Sequence, residues 1–516
     1  MPILFHQLTA PLTTDYIFNG FDRDWEMTKS VKVLDLPLHS PSSRDWSPLL
    51  DGLADRLSNV SHKFIHLWEP ETIVQTNLLL ALCLNMERLK IQISGSLNSP
   101  GFMYLSFLQE ILKQRGSGPS LMNLRHLELE ESDFGNFSDC GPELSCLLLE
   151  SPGLKTLVLR GIEEDTIPDY GPVFQDPRCN IALENLTELQ IDGWSFNEDR
   201  NRGPGPSFTG LKHLELNSRN LGRVSIAGSG LSLLLREAPQ LQTLVLYGYA
   251  HRRLKDYDAS FYEPACDAAL GSLAELQILE WCFSEGDLDS LALSRIMGTA
   301  RKLKRFKYLA NSCSGRQESW IEEPLAGTRL TACTFLEYLK QSSKMEHLSL
   351  NFAKNNRQFY RLPNLQFITP EQLNGFASLI SFELDQSCFC QHLLGRDRLG
   401  KEFEKNTCLT DLILPTIRHL SIFLVKNEGW KSPEWQSFDD VLYLGQRAVA
   451  GDFPTLQNIE LHIDLSYCPG EDYLDNLVND EAIHEELEQR SERLQETFFG
   501  SGVVTRFISD YRNVLD

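Results

Sequence analysis

Five histidines lie in a repeated leucine-rich phrase, and their imidazoles could bind a metal ion. They are His126, His213, His347, His419 and His462. A zinc site needs three or four ligands that converge on one point. His419 and His462 are the closest pair, but a full repeat separates them and no third ligand converges with them. We therefore predict no metal site.

Cysteine and histidine motifs elsewhere in the chain are incomplete. The twelve cysteines are scattered, and only Cys388 and Cys390 stand close together, as either a redox pair or two ordinary loop thiols. The segment HEELE at His484 carries Glu488 where a zinc-binding helix has its second histidine. The sequence contains no glycine-rich phosphate loop and no nucleophile elbow. It therefore predicts a protein that is not an enzyme, needs no cofactor and lies in a reducing compartment.

A basic run, RKLKRFK at 301–307, suggests binding to nucleic acid. The whole chain opposes this, because 71 acidic and 48 basic residues among 516 give a net charge of −23. Leu303 and Phe306 also occupy positions expected in the core, so the run fits a sheet edge better than a free basic peptide. An RNA- or nucleotide-associated protein that uses this basic run is the alternative function.

The start of the chain and its apolar segments bear on location. The N-terminus has no basic start followed by a long apolar run, so it does not resemble a signal peptide. No stretch approaches the roughly 18 apolar residues that a membrane span requires. We therefore expect no membrane partner and an intracellular location, in the cytoplasm or the nucleus.

The histidines and the basic run are positioned by a six-residue phrase, L-x-x-L-x-L, that recurs along the chain. Clear copies begin at Leu124, Leu154, Leu186, Leu211, Leu241, Leu276, Met345, Leu379, Ile417 and Leu456, and weaker copies at Val31, Met86 and Leu303. A short strand cannot bury its apolar side alone, so successive copies must stack. The phrase predicts an α/β fold, an irregular leucine-rich-repeat solenoid of horseshoe-like shape. A parallel β-sheet would form its concave face and helices its convex face.

The spacing of the copies divides the chain into three parts. Residues 1–30 form an N-terminal cap or remnant segment, 31–465 the solenoid, and 466–516 an acidic helical C-terminal cap. The last part ends with apolar residues at Val503, Val504, Phe507, Ile508 and Tyr511. Their spacing predicts a helix that closes the array, because an exposed terminal repeat needs a cap.

Shorter signals predict helices, one further strand and loops. Apolar runs before Leu154 (LSCLLLESPG) and before Leu241 (LSLLLREAPQ) have helical spacing and end near a proline. Phe64 lies in a degenerate copy, FIHLWEP, which predicts a strand in the long interval after Val31. Polar insertions rich in turn-forming residues predict loops at 161–180, 197–207 and 311–328.

The residues between the leucines of each phrase are expected to face outward, because side chains alternate along a strand. These outward positions hold nine acids and three bases, so the face would attract a basic segment of a protein partner. We therefore expect a non-catalytic scaffold for protein–protein interaction. Its candidate partner-binding residues are Glu188, Asp192, Glu215, Tyr247, Glu280, Arg305 and Lys307. Tyr247 would be their aromatic anchor.

The phrases LKTLVLRGI, LKHLELNS and LTDLILPTIRHLSIFL resemble the irregular leucine-rich arrays of fungal F-box proteins. The resemblance covers residues 31–465 and implies the substrate-recognition part of an SCF-type ubiquitin ligase. In that family an N-terminal F-box, which opens with a Leu-Pro-x-Glu-type helix, docks on a Skp1-like adaptor. The residues before VKVLDL do not match that helix. A Skp1-like adaptor is therefore an expected partner only if an F-box exists upstream.

Overall fold

The computed structural model divides the chain into two compact units, Met1–Ser272 and Leu273–Asp516. It describes residues 7–9, 33–37, 62–67, 86–93, 121–131, 141–160, 171–174, 176–192, 207–217, 227–247, 263–281, 288–310, 331–352, 368–389, 409–425, 436–464 and 480–510. In each unit, parallel strands alternate with helices or connecting segments.

The described part of the first unit contains nine strands that lie side by side in chain order, each parallel to the next. They are β1 Gln7–Thr9, β2 Val33–Pro37, β3 His62–Leu67, β4 Arg88–Ile93, β5 His126–Glu131, β6 Thr156–Arg160, β7 Glu188–Asp192, β8 His213–Asn217 and β9 Thr243–Tyr247. Parallel neighbours in chain order require a crossover after every strand. The predicted solenoid-like α/β architecture is therefore confirmed for these strands, including the strand at Phe64.

The described helices of the first unit lie between these strands, except the last one, which follows β9. They are α1 Gly141–Glu150, α2 Gly171–Phe174, α3 Asn180–Asn185, α4 Ala227–Glu237 and α5 Asp267–Ser272. The helices α1 and α4 are those predicted from the two apolar runs. Helix α4 ends two residues before Pro239, whose ring cannot continue a helix.

The predicted loop at 161–180 is wrong in its second half. Helix α2 lies within it, and a 3-10 turn, Pro177–Cys179, leads directly into α3. Asp176 Oδ1 accepts a hydrogen bond from the Arg178 backbone N–H at 3.0 Å and so caps the turn. A proline in the first turn loses no internal hydrogen bond, so a residue interpreted as a loop signal here begins a helical segment.

Two rows of apolar side chains fill the interior behind strands β5 to β9. The first row is Leu127, Leu157, Leu189, Leu214 and Leu244, paired in register and fully buried. The second row, also buried, is Leu129, Leu159, Ile191, Leu216 and Leu246. These are the last two apolar positions of the phrase, so the predicted inward-facing positions are confirmed in this unit.

The second unit repeats the arrangement with seven described strands, each parallel to the next. The strands are β10 Glu275–Trp281, β11 Arg305–Ala310, β12 His347–Asn351, β13 Ser381–Asp385, β14 His419–Val425, β15 Asn458–Asp464 and β16 Val504–Asp510. The described helices are α6 Leu288–Thr299, α7 Ala332–Leu339, α8 Pro370–Leu373, α9 Gln436–Val449 and α10 Asp480–Phe498. The described residues of this unit also form 3-10 turns at Gln386–Cys388 and Leu409–Leu412.

An aromatic cluster fixes helix α7 against the inner face of this sheet. The ring of Phe335 on α7 lies 4.5 Å from that of Tyr308 and 5.7 Å from that of Phe306, measured between centroids. Phe352, just after β12, lies 5.0 Å from Tyr308. All four rings are buried, so the helix holds β11 and β12 from behind and leaves the other face of the sheet uncovered by it.

The helix predicted from the stripe at Val503 is wrong, because the residues form strand β16 and pair with β15. Gly500 and Gly502 adopt positive φ angles of 86° and 78°, which stop the preceding helix α10. The β-branched residues that follow favour an extended chain on the edge of the sheet.

Other predictions fall partly outside the described part of the chain. The loops at 197–207 and 311–328 lie outside the described residues, apart from Ser207. Within the segment 1–30 the described residues are those of β1, a strand that the sequence did not predict and that pairs with β2.

Residues 144–194 and 231–281 are a duplicated stretch that aligns without a gap. The first copy contains LSCLLLESPGLKTLVL and DPRCNIALENLTELQI, and the second contains LSLLLREAPQLQTLVL and EPACDAALGSLAELQI. A proline-containing 3-10 turn precedes a six-residue helix in both, at Pro177–Cys179 and Pro264–Cys266. The larger repeat therefore comprises two strands with their helices, rather than one.

Candidate functional site

The face of the first unit's sheet opposite the two buried rows, called the uncovered face below, carries a charged cluster on β4, β5 and β6. Lys90 Nζ lies 3.0 Å from Glu128 Oε1 and 2.7 Å from Glu130 Oε2. Arg160 Nη1 lies 3.3 Å from Glu128 Oε1, and His126 Nε2 lies 3.8 Å from Glu128 Oε2. These contacts neutralise two acids that the sequence analysis counted toward an acidic face.

The charged cluster lowers the pKa of Glu128 from 4.5 to about 2. His126 contributes most to this shift, burial opposes it, and Lys90 and Arg160 lower the pKa further. Burial would lower the pKa of Lys90, but its hydrogen bonds to Glu130 and Glu128 outweigh that effect and raise the pKa. Glu128 and Lys90 are therefore both ionised at neutral pH, and the contacts of Glu128 with Lys90 and Arg160 link three neighbouring strands.

Two of the predicted partner-binding acids, Glu188 and Glu215, are not neutralised in this way. Thr156 Oγ1 donates to Glu188 Oε2 at 3.2 Å, and the Gln190 amide donates to Glu188 Oε1 at 2.7 Å. Glu215 Oε2 lies 3.7 Å from His213 Nε2. Within the described ranges, no lysine or arginine nitrogen lies within 4 Å of either carboxylate. Both acids are half-buried on adjacent strands, so negative charge is concentrated there.

The other two predicted residues of this unit lie at the carboxyl ends of their strands. Asp192 ends β7 and pairs in register with Arg160 on one side and Asn217 on the other. Asn217 in turn pairs with Tyr247, which ends β9. Asp192 and Tyr247 are half-buried. The structure thus brings the four predicted residues of the first unit onto three neighbouring strands of one face.

The uncovered face of the second unit's sheet contains an open hollow of about 320 Å³. Its lining residues are Glu275, Gln277, Arg305, Phe306, Lys307, His347, Leu348, Ser349 and Glu383. Arg305 Nη1 lies 3.9 Å from Glu275 Oε2, and Lys307 Nζ lies 3.9 Å from Glu383 Oε1. Both distances exceed those of hydrogen bonds. The two predicted cations therefore share one hollow with two carboxylates that lie beyond hydrogen-bonding distance of them.

Gln190 and Gln277 also shape these faces, although neither is among the predicted partner-binding residues. The Gln277 amide donates to Glu275 Oε1 at 2.6 Å, which repeats the contact between Gln190 and Glu188. The tetrapeptide ELQI, present in both copies of the duplicated stretch, could have indicated this pairing. Because the amide holds each carboxylate, the acid side chain is oriented before any partner binds.

Two acids that the sequence places on outward positions, Glu280 and Asp385, do not contribute to the described accessible faces. Glu280 belongs to β10, and its side chain lies outside the described residues. Asp385 is fully buried, and its Oδ2 accepts a hydrogen bond from the Phe352 backbone N–H. Asp385 therefore supports the end of β12 and does not belong to the accessible face.

The basic run at 301–307 forms the turn before β11 and the first residues of that strand. Leu303 and Phe306 are buried as predicted, but β11 pairs with β10 on one side and β12 on the other, so the expected placement at a sheet edge is wrong. Lys304 Nζ lies 2.8 Å from Glu346 Oε1, and the hollow pairs the two later cations with acids. This compensation leaves Arg301 and Lys302 as exposed cations in the turn and does not favour a nucleic-acid surface.

Two histidines of the second unit's sheet, His419 and His462, contact side chains beside them. His419 Nδ1 lies 2.8 Å from Asn458 Nδ2, and His462 stacks on Phe423 with centroids 4.3 Å apart. Among the residues that the structure describes, no group of three histidine, cysteine or acidic side chains could hold a metal ion.

No protein-family model and no curated protein matches this chain. Over the described residues, no helix combines the length and the apolar character needed to cross a lipid bilayer. The functional interpretation therefore depends on the geometry of the two uncovered sheet faces.

Proposed function

We propose that this protein is a non-catalytic scaffold of the leucine-rich-repeat type, which binds a partner protein on the uncovered faces of its sheets. The main support is the register of outward polar side chains across neighbouring strands. Glu188 stands beside His213, and Gln190 stands beside Glu215. Strands in a sheet lie about 4.8 Å apart, so these side chains form regular rows that an extended segment can follow.

The buried rows behind the face support the same proposal. The leucines of β5 to β9 are packed in register, so the outward side chains are fixed to a rigid backbone. A surface that is ordered before binding loses less conformational freedom when a partner docks. The leucine-rich-repeat assignment accounts for both the phrase and the chain order of the strands.

Substrate recognition for an SCF-type ubiquitin ligase is the more specific form of the proposal, and it rests on the resemblance to fungal F-box proteins. Co-purification of the full chain with a Skp1-like adaptor tests it. Absence of the adaptor would contradict the ubiquitin-ligase proposal. It would not contradict the scaffold proposal, which has a separate test.

Site-specific photo-crosslinking tests the scaffold proposal. A photoreactive amino acid at Thr243, half-buried on the uncovered face of β9, should capture a discrete partner protein in the cells that produce the chain. The same amino acid at Ile181, 63% exposed on helix α3, is the matched control and should capture none. Equal capture from both positions, or capture from Ile181 alone, would contradict the proposal.

A further inference from the structure

We infer that the hollow on the second unit's sheet receives the acidic side chain, Asp or Glu, of a partner segment whose neighbouring residues are basic. The inference rests on the proposed function and specifies the partner chemistry at this hollow. It follows from two loosely paired cations, two flanking carboxylates and one buried hydroxyl that has no partner among the residues that the structure describes.

The two cations retain hydrogen-bonding capacity. Arg305 and Lys307 project from the same face of β11, and each reaches a carboxylate only at 3.9 Å. By contrast, Lys304 in the preceding turn holds Glu346 at 2.8 Å. Within the described residues, neither Arg305 nor Lys307 uses its side chain in a hydrogen bond. A guanidinium fork beside an ammonium group matches the two oxygens of an incoming carboxylate.

The floor of the hollow offers a third donor. Ser349 stands in register between Lys307 and Glu383 and is 8% exposed. Its Oγ has no hydrogen-bond partner among the described residues. A buried hydroxyl without a partner carries a free-energy cost, and native structures rarely leave one without a reason. A carboxylate oxygen placed beside Lys307 would accept a hydrogen bond from this hydroxyl and remove that cost.

The flanking groups indicate what lies beside the acid in the partner. Glu275 on β10 and Glu383 on β13 stand on either side of the cations, about 14 Å apart if strands are spaced by about 4.8 Å. Burial and the nearby Arg305 lower the pKa of His347, so its ring adds no positive charge at neutral pH. Because the hollow balances two cations with two carboxylates, it suits a singly charged group better than a phosphate dianion. Glu275 and Glu383 would then pair with basic residues of the same partner segment.

Selection from a random peptide display library on the full chain tests the inference. The wild-type chain should enrich peptides with one Asp or Glu flanked on both sides by Lys or Arg. For an enriched peptide made synthetically, replacing the acid by Asn should weaken binding about ten- to a hundredfold, since hydrogen bonds to charged groups are lost. Two further versions of the peptide carry phosphoserine at that position or supply the acid only as a free C-terminus. Both should bind more weakly than the peptide with the Asp or Glu side chain.

Substitutions in the chain test whether the enriched peptide binds in the hollow. Lys307→Gln should weaken the peptide about tenfold or more, whereas Lys304→Gln, outside the hollow, should leave it unchanged. Ser349→Ala should weaken binding without lowering the denaturant midpoint of unfolding, because its hydroxyl has no partner to lose. Ser381→Ala, on the same face but outside the hollow, is the matched control.

The outcomes separate this inference from the proposed function. Peptides whose binding depends on Glu188 and Glu215 but not on Lys307 would overturn the inference and leave the scaffold proposal standing. Enrichment of peptides without an acidic residue, or of no peptide at all, would also overturn it. The crosslinking result at Thr243 is independent of all these outcomes.

Discussion

The thiol of Cys266 donates a hydrogen bond to the carbonyl oxygen of Ser232 at 3.6 Å. Cys179 makes the same bond to Ser145 at 3.7 Å, at the equivalent place in the other copy of the duplicated stretch. In the two copies the thiol anchors a 3-10 turn to helix α1 and to helix α4, respectively. Burial raises the pKa of Cys179 to about 11 and that of Cys266 to about 12.

We predict that these two thiols are inert in the folded protein. At pH 8 only about one Cys266 thiol in ten thousand is ionised, and the thiolate is the reactive form. Alkylation with iodoacetamide followed by peptide mass spectrometry should leave Cys179 and Cys266 unmodified in buffer and modify both in urea. Rapid modification in buffer would show that these helices do not cover the thiols as described.

The charged cluster on the first sheet predicts an acid-sensitive contribution to stability. Because folding lowers the pKa of Glu128 from 4.5 to about 2, its contribution is complete above pH 4.5 and is lost as the pH falls toward 2. Glu128→Gln should therefore lower the unfolding free energy at pH 7 by about 1–3 kcal/mol, measured from hydrogen exchange of the β5 and β6 amides. The difference should shrink steadily below pH 4.5. Glu485→Gln, on helix α10, is the control, and a pH-independent difference would contradict the prediction.

Helices α9 and α10 approach closely at Gly445. A Cβ built there would lie 2.7 Å from the ring of Phe498 and 2.7 Å from Thr497 Cγ2, so the helices would have to move apart. Gly445→Ala should destabilise the second unit by about 1–3 kcal/mol in chemical denaturation. Gly298→Ala, in helix α6 with no atom within 4 Å of the added Cβ, should instead stabilise it by about 0.5–1 kcal/mol. Equal effects of the two substitutions would contradict the described packing.

The parts of this fold that follow from sequence are those that depend on one repeated pattern. Leu189 and Leu244 are buried because the copies of the phrase on β5 to β9 place the same apolar positions inward. The stripe at Val503 predicts a helix but forms strand β16, because a short apolar stripe fits both periods and Gly500 and Gly502 stop the preceding helix.

The details of the candidate faces depend on which residues stand side by side, and the uneven spacing of the copies hides this. The pairing of Lys90 with Glu128 and the burial of Ser349 both arise from lateral register between neighbouring strands. A single sequence predicts which residues face outward, but it does not predict which side chains of adjacent strands neutralise or cover them. By contrast, the tetrapeptide ELQI occurs twice in the sequence. In both places its glutamine donates a hydrogen bond to its glutamate, which fixes the carboxylates of Glu188 and Glu275.

The association rate of the partner captured from Thr243 tests the central claim, that the negative face around Glu188 and Glu215 docks a basic segment. Glu188→Lys with Glu215→Lys should slow association by about fivefold or more at low salt, and the difference should vanish as salt screens the charges. Glu492→Lys with Glu496→Lys, both exposed on helix α10, changes the net charge equally and should have a much smaller effect. An unchanged association rate for the first pair at low salt would contradict the account.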